Sequence, residues 1–149
     1  AGILPFDINR SGVFSARSTI PFSALAGIDL NGDASNTDYV PGTTRNVFNR
    51  GKDEAMMALV NTWRASRALG PLPASQIDTN EFYSVDMRVT KAFEVRSQQR
   101  VELVAQVFNL LNRTNLLQAW TTNALSGAFG TSTSASNKRQ AEFAIRYAF

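Results

Sequence analysis

Four stretches of the chain alternate apolar and polar residues with the period of two that marks a strand with unlike faces. The first runs from about Phe6 to Ala26, with Phe6, Ile8, Gly12, Phe14 and Ala16 in step. Arg10 falls in its apolar register and Val13 in its polar one, and Gly12 marks a candidate bulge or close approach. The second, about 83–95, is cleaner. Tyr83, Val85, Met87, Val89, Phe93 and Val95 share one face with Lys91 as the single intruder, while Ser84, Asp86, Arg88, Thr90, Ala92 and Glu94 take the other. The third, about 100–111, sets Val101, Leu103, Ala105 and Val107 against Glu102 and Gln106. The fourth, about 138–149, alternates Phe143, Ile145, Tyr147 and Phe149 with Glu142, Ala144, Arg146 and Ala148.

The connections are as informative as the strands. Only Arg96–Gln99 separates the second stretch from the third, which predicts an antiparallel hairpin. The other two connections, about 28–82 and 112–137, are long, polar and rich in Gly, Pro, Ser and Thr. Connections of that length are unusual inside a compact domain and point to functional surface loops. Within the first, Met56, Leu59, Val60 and Trp63 recur at helical spacing, so a helix is predicted over Asp53–Leu69, stopped by Gly70-Pro71.

Composition narrows the chemistry. The 149 residues include no cysteine and no histidine, which excludes disulfides, thiolate chemistry, Cys/His zinc sites and imidazole catalysis. No recognisable nucleophile–base spacing occurs, so an enzyme is not expected. The charged fraction of 18% lies below the roughly 25% of soluble domains, and the net charge of +3 is modest and scattered, which gives nucleic-acid binding no support. No apolar run reaches the roughly 18 residues of a membrane helix. The first residues, Ala1-Gly2-Ile3-Leu4-Pro5, show no initiating Met, basic region or cleavage site, and the chain reads as a piece of something longer.

Strands joined in the order long, short, long place both long loops on one side and the tight turn on the other. Outer-membrane barrels are built this way, with short periplasmic turns and long extracellular loops. With Phe149 at the periplasmic rim, strands one and three climb outward, and Phe6, Phe93, Tyr147 and Phe149 gather at one interface as an aromatic girdle. The expected fold is therefore all-β: an antiparallel transmembrane barrel segment of about four strands, open by itself, with one loop carrying a short α-helix. Four strands cannot close a barrel, whose smallest forms have about eight, and unpaired edges are not viable in lipid. The chain must pair with strands it does not contain.

The segment Val107-Phe108-Asn109-Leu110-Leu111-Asn112-Arg113-Thr114-Asn115 and the terminal Arg139-Gln140-Ala141-Glu142-Phe143-Ala144-Ile145-Arg146-Tyr147-Ala148-Phe149 resemble signatures of the last strands of TonB-dependent outer-membrane receptors. Tyr83–Phe93 and Asp29-Leu30-Asn31-Gly32-Asp33 are similar too, closest to the branch that begins with a carboxypeptidase-regulatory-like domain. The resemblance spans nearly the whole chain and is loosest around Met56–Leu69. It implies the C-terminal part of one barrel of roughly 22 strands in the bacterial outer membrane. It also implies an upstream plug, contact with TonB through the missing N-terminal part, and energised uptake of a solute. The terminal aromatics Phe149 and Tyr147 resemble the signal read by the barrel-assembly machinery.

Candidate sites are few. Asp29, Asn31 and Asp33 stand at positions 1, 3 and 5 of a calcium-loop pattern, with Asp38 as a late ligand, but Ala34 and Val40 occupy its later Gly and Glu positions. A solvated Asp/Asn turn is the competing reading. Asp86, Arg88, Glu94, Glu102 and Arg146 fall on the face expected to look into the lumen, either lining a transport path or pairing with one another and the plug. The Met56–Trp63 stripe either meets a ligand or packs the loop. Asn112-Arg113-Thr114 matches a glycosylation sequon, by chance in the inferred compartment. Two further function classes remain open: a four-stranded protomer of an oligomeric outer-membrane pore, and a secreted β-rich adhesin or assembly subunit with pairing edges.

Overall fold

The computed structural model describes residues 2–4, 8–96 and 98–149, the first three by their backbone. Five strands form one antiparallel sheet in sequence order: β1 (Gly2–Leu4), β2 (Ile8–Arg17), β3 (Phe82–Arg96), β4 (Gln99–Phe108) and β5 (Gln140–Ala148). The only helix among the described residues longer than a single turn is α1 (Asp53–Ala65), inside the connection from β2 to β3. The chain divides into two compact units. One comprises the sheet, with Asn109–Asn115 and Ser136–Arg139; the other comprises Ser18–Glu81 and Leu116–Ala135.

In the sheet unit, the hairpin between β3 and β4 is as tight as expected, with Arg96 opposite Gln99 and Gln98 at a φ of 73°. Both long connections leave the opposite end of the sheet. β4 stops at Phe108, three residues before the expected Leu111. Asn109 and Asn112 adopt positive φ, and the Asn109 side chain holds the turn through Arg113. The apolar pair Leu110-Leu111 imitates a strand end there, but asparagine takes the left-handed conformation more readily than most residues. The short strand β1 adds a fifth member beyond β2. Phe6, expected in the girdle, lies outside the described residues.

The first strand is shorter than the sequence predicts: β2 ends at Arg17, not at Ala26. Alternation does continue, with Phe22, Ala24 and Ala26 all buried, but these side chains enter the core of the other unit. Pro21 interrupts the segment, since proline has no N–H to give a ladder. Beyond it the chain makes isolated bridges, Phe22 opposite Phe48 and Leu25 opposite Tyr39.

That second unit has a complete apolar core. Phe22, Val40, Phe48, Met57, Val60, Ala124 and Phe129 are buried together. Phe22 lies between Phe48 (centroids 5.0 Å apart) and Trp120 (4.9 Å) in a stacked column, with Phe129 edge-on to Phe48 at 5.3 Å. The Ser/Thr run is no loose tether. Residues 116–121 and 130–135 hydrogen-bond as a ribbon, from Leu117 N–H to Ser134 O, Thr133 N–H to Ala119 O and Thr121 N–H to Thr131 O. The helix buries Met57, Val60 and Arg64, a face turned slightly from the expected Met56–Trp63 stripe. Arg64 explains the rotation. Its guanidinium donates to the carbonyls of Gly70 (2.9 Å), Ala124 (2.7 Å) and Ser126 (3.0 Å), so a buried charge is met by main-chain oxygens. Gly27, at φ 78°, could not be replaced without driving a Cβ into the Asn123 side chain.

Candidate functional site: two faces of one sheet

Strand register decides which side chains share a surface. Phe14 opposes Val85, Met87 opposes Val107, Phe93 opposes Val101, Val101 opposes Tyr147, and Ala105 opposes Phe143. One face therefore gathers Ile8, Phe14, Val85, Met87, Val89, Phe93, Val101, Leu103, Phe143, Ile145 and Tyr147. Tyr83, Val85, Met87, Val89, Val101, Leu103, Val107, Phe143, Ile145 and Tyr147 share this face as expected, whereas Val95 falls at the irregularity between Glu94 and Arg96. On the other, Ser11 opposes Arg88, Arg88 opposes Gln106, Gln106 opposes Glu142, and Glu102 opposes Arg146.

Exposure runs opposite to that of a soluble sheet. On the apolar face Met87 is 42% exposed, Ile145 75% and Phe143 83%. On the polar face the small residues Ser84 and Thr90 are buried, at 9% and 7%. Water would reverse this arrangement, because exposed apolar patches of such extent mark a surface meant for another apolar medium. A family model for an outer membrane beta barrel domain matches residues 7–142. The chain belongs to that family. No curated protein and no solved structure matches it. As an outer-membrane barrel domain it resides in the bacterial outer membrane, and no helix among the described residues is long and apolar enough to cross a membrane.

The polar face of this barrel segment brings together all five charged residues singled out from the sequence. Glu102 and Arg146 form an ion pair at 3.8 Å, the only one among the described residues. Both partners are partly solvated, so the pair is worth no more than about 1 kcal/mol. Asp86 is held more firmly, accepting from the Ser84 hydroxyl (3.0 Å) and from the Asn109 N–H (2.9 Å). Glu94 stands opposite Arg100 in register. Gln106 and Glu142, placed on this face by their alternation, and Arg100, whose even parity carried the same signal unread, complete the polar surface. Near the end from which the long connections leave, this face forms a cleft of about 420 Å3, lined by Asp86, Asn109, Lys138, Gln140 and Glu142 among others.

Of the four aromatics expected at the tight-turn end, the three described ones, Phe93, Tyr147 and Phe149, lie there. Phe93, Val101 and Tyr147 form one row across three strands, and the Tyr147 and Phe149 rings lie 5.9 Å apart. At the other end Tyr83 carries the Arg113 guanidinium 4.6 Å above its ring.

The Asp29–Asp38 segment is a turn closed by its own hydrogen bonds. Asp29 accepts from the N–H groups of Asn31, Gly32 and Ala34, and Asp33 accepts from Ser35 N–H. Asp38 accepts from Leu30 N–H and from the Asn31 side-chain amide. The Gly32 and then the Ala34 N–H hold the Asp29 carboxyl below its ordinary value of 3.8. No group of three or more Asp, Glu, His or Cys among the described residues is arranged to hold a metal ion.

Proposed function

We propose that the chain is the C-terminal segment of the barrel of a TonB-dependent receptor, with its apolar face in lipid and its polar face lining the lumen. The observation that carries the barrel part is quantitative. Tyr83 and Phe93 mark the aromatic ends of β3 and stand ten positions apart on one face. At about 3.4 Å per residue and a tilt near 40°, that spacing spans roughly 26 Å along the membrane normal, against an apolar band of about 25 Å. The tight turn then lies in the periplasm and the two long connections, α1 included, outside the cell.

The receptor part rests on the resemblance of Tyr83–Phe93, Val107–Asn115 and Arg139–Phe149 to the receptors' last strands. On this reading the edges of the sheet pair with the rest of the same barrel, a plug fills the lumen, and TonB energises uptake of a solute. Asp86, Arg88, Glu94, Glu102 and Arg146 line the passage or meet the plug, and none has a catalytic role. Phe149 and Tyr147 are read by the assembly machinery.

Purified full-length protein in planar bilayers tests the reading. A plugged receptor is electrically silent, and cells lacking it share one uptake defect with cells lacking TonB. A steady, TonB-independent conductance from a detergent-resistant oligomer would instead establish the pore-protomer reading. A protein that stays soluble without detergent would establish the adhesin reading.

A further inference from the structure

By register the apolar face of the sheet carries three charged side chains among its described strand residues, Arg10, Lys91 and, past the irregularity between Glu94 and Arg96, Arg96 at the tight turn, and no carboxylate. Register makes Arg10 and Lys91 neighbours. Ile8 opposes Lys91 and Arg10 opposes Val89, so the two cations sit diagonally across β2 and β3, roughly 7–8 Å apart. Two like charges side by side on a lipid-facing surface destabilise one another and lose hydration. A cation on that surface is costly at the bilayer centre and far less so near the interface. Some compensation is therefore built into their position.

Depth supplies part of it. Lys91 lies two residues from Phe93 and Arg10 is level with Val89, four residues from Phe93. With the rise and tilt used above, their backbones stand about 5 and 10 Å from the periplasmic belt, within snorkelling range of long side chains. Lys91 already reaches that way, its Nζ lying 4.9 Å from the Phe93 ring centroid. Arg10 is exposed. A counter-ion supplies the rest, and the described strand residues of this face offer none.

We propose that Arg10 and Lys91 form a binding site for the phosphate of an anionic phospholipid in the periplasmic leaflet. The guanidinium gives a planar fork and the ammonium a point charge, the two ways proteins hold phosphate. The lipid's chains lie along Ile8, Val89 and Phe93. The site depends on the lipid-facing assignment of this face but not on TonB or on any transported solute.

Full-length receptor in nanodiscs containing phosphatidylcholine with or without phosphatidylglycerol tests it, with retained lipids counted by native mass spectrometry. The wild type is expected to retain phosphatidylglycerol selectively. The double variant R10Q/K91Q should lose that preference roughly thirty-fold, at about five-fold per cation. The charge-conserving R10K/K91R should keep it, as should R45Q/K52Q, which removes two cations from the loop unit. If R10Q/K91Q fails to assemble, R10Q and K91Q singly should each lose about five-fold. Inorganic phosphate at millimolar concentration should not displace the lipid. An unchanged preference in R10Q/K91Q, or in both single variants, overturns the proposal. So does displacement by free phosphate, which would show an anion site without lipid selectivity. If the bilayer experiments refuted the receptor while the lipid preference followed Arg10 and Lys91, the site would stand without it.

Discussion

Placing an arginine at Met87 separates a lipid-facing surface from a water-facing one by the sign and size of its effect. Met87 lies four residues from Tyr83 and six from Phe93 on the same strand, so it stands about 10 and 16 Å from the two aromatic belts, near mid-membrane. It opposes Gly12 on one side and Val107 on the other, and no carboxylate shares its face among the described strand residues. An arginine there finds no partner, and M87R should destabilise the assembled barrel by about 2–4 kcal/mol. The control is Q106R, one strand over on the opposite face, where the new cation lies opposite Glu142 as well as Arg88. Its effect should stay within about 1 kcal/mol. If the Met87 face met water, the substitution at a residue 42% exposed would cost no more than about 0.5 kcal/mol. Urea titration of the full-length protein in lipid vesicles, read by heat-modifiable gel mobility, gives both numbers. Equal losses in the two variants, or a larger loss in Q106R, would refute the face assignment.

Three further outcomes are expected. Phe48 is fully buried and stacked on Phe22, so F48A should destabilise the loop unit by about 3–5 kcal/mol. Limited proteolysis should then cut within 18–81 while the strands stay protected, and unchanged cleavage would show that the aromatic column does not hold this unit. The Asp29 carboxyl is lowered by the Gly32 and Ala34 N–H groups, so its stabilisation is complete above about pH 4 and lost as pH falls through the depressed folded value. Protection of the amides across 29–35, taken relative to their intrinsic exchange rates, should fall on acidification in the wild type but not in D29N, and millimolar calcium should leave it unchanged. Calcium-dependent protection would make Asp29, Asn31, Asp33 and Asp38 a cation loop. Deleting Phe149 removes one exposed ring whose burial is worth about 1.5–3 kcal/mol, too little to unfold an assembled barrel. The amount of protein inserted should fall while its melting stays near normal, and equal insertion would remove the role of Phe149 as an assembly signal.

The sheet was legible because a strand exposed to two media must write both into alternate residues. Tyr83–Val95 does so almost without error, and pairing it with Arg100–Phe108 and Gln140–Ala148 preserved parity across three strands. The same rule misled at Ser18–Ala26. Phe22, Ala24 and Ala26 keep the period but bury into a loop core, and period alone does not say which core a face enters. The loop unit itself was hidden for a different reason. Phe48, Trp120 and Phe129 come from separate polar stretches, each an isolated aromatic with no pattern around it, and only their stacking makes a core. Arg64 was hidden further, since a charged residue on a helix is ordinarily read as solvated, and its three carbonyl partners include two, Ala124 and Ser126, distant in sequence.

Of the exceptions to the strand pattern, Val13 and the pair Arg10 and Lys91 have different physical weight. Val13 is an apolar residue on the polar face, 61% exposed, where an exposed valine costs little. Arg10 and Lys91 are cations on the apolar face, where each departure costs free energy unless something outside the chain offsets it. A single misplaced cation is readily explained by snorkelling alone. Two on adjacent strands, diagonal in register, near one membrane interface and without a carboxylate among the described strand residues of their face, share both the cost and its remedy. The sheet's clearest violations of its own alternation thus fall where a lipid phosphate could neutralise both at once.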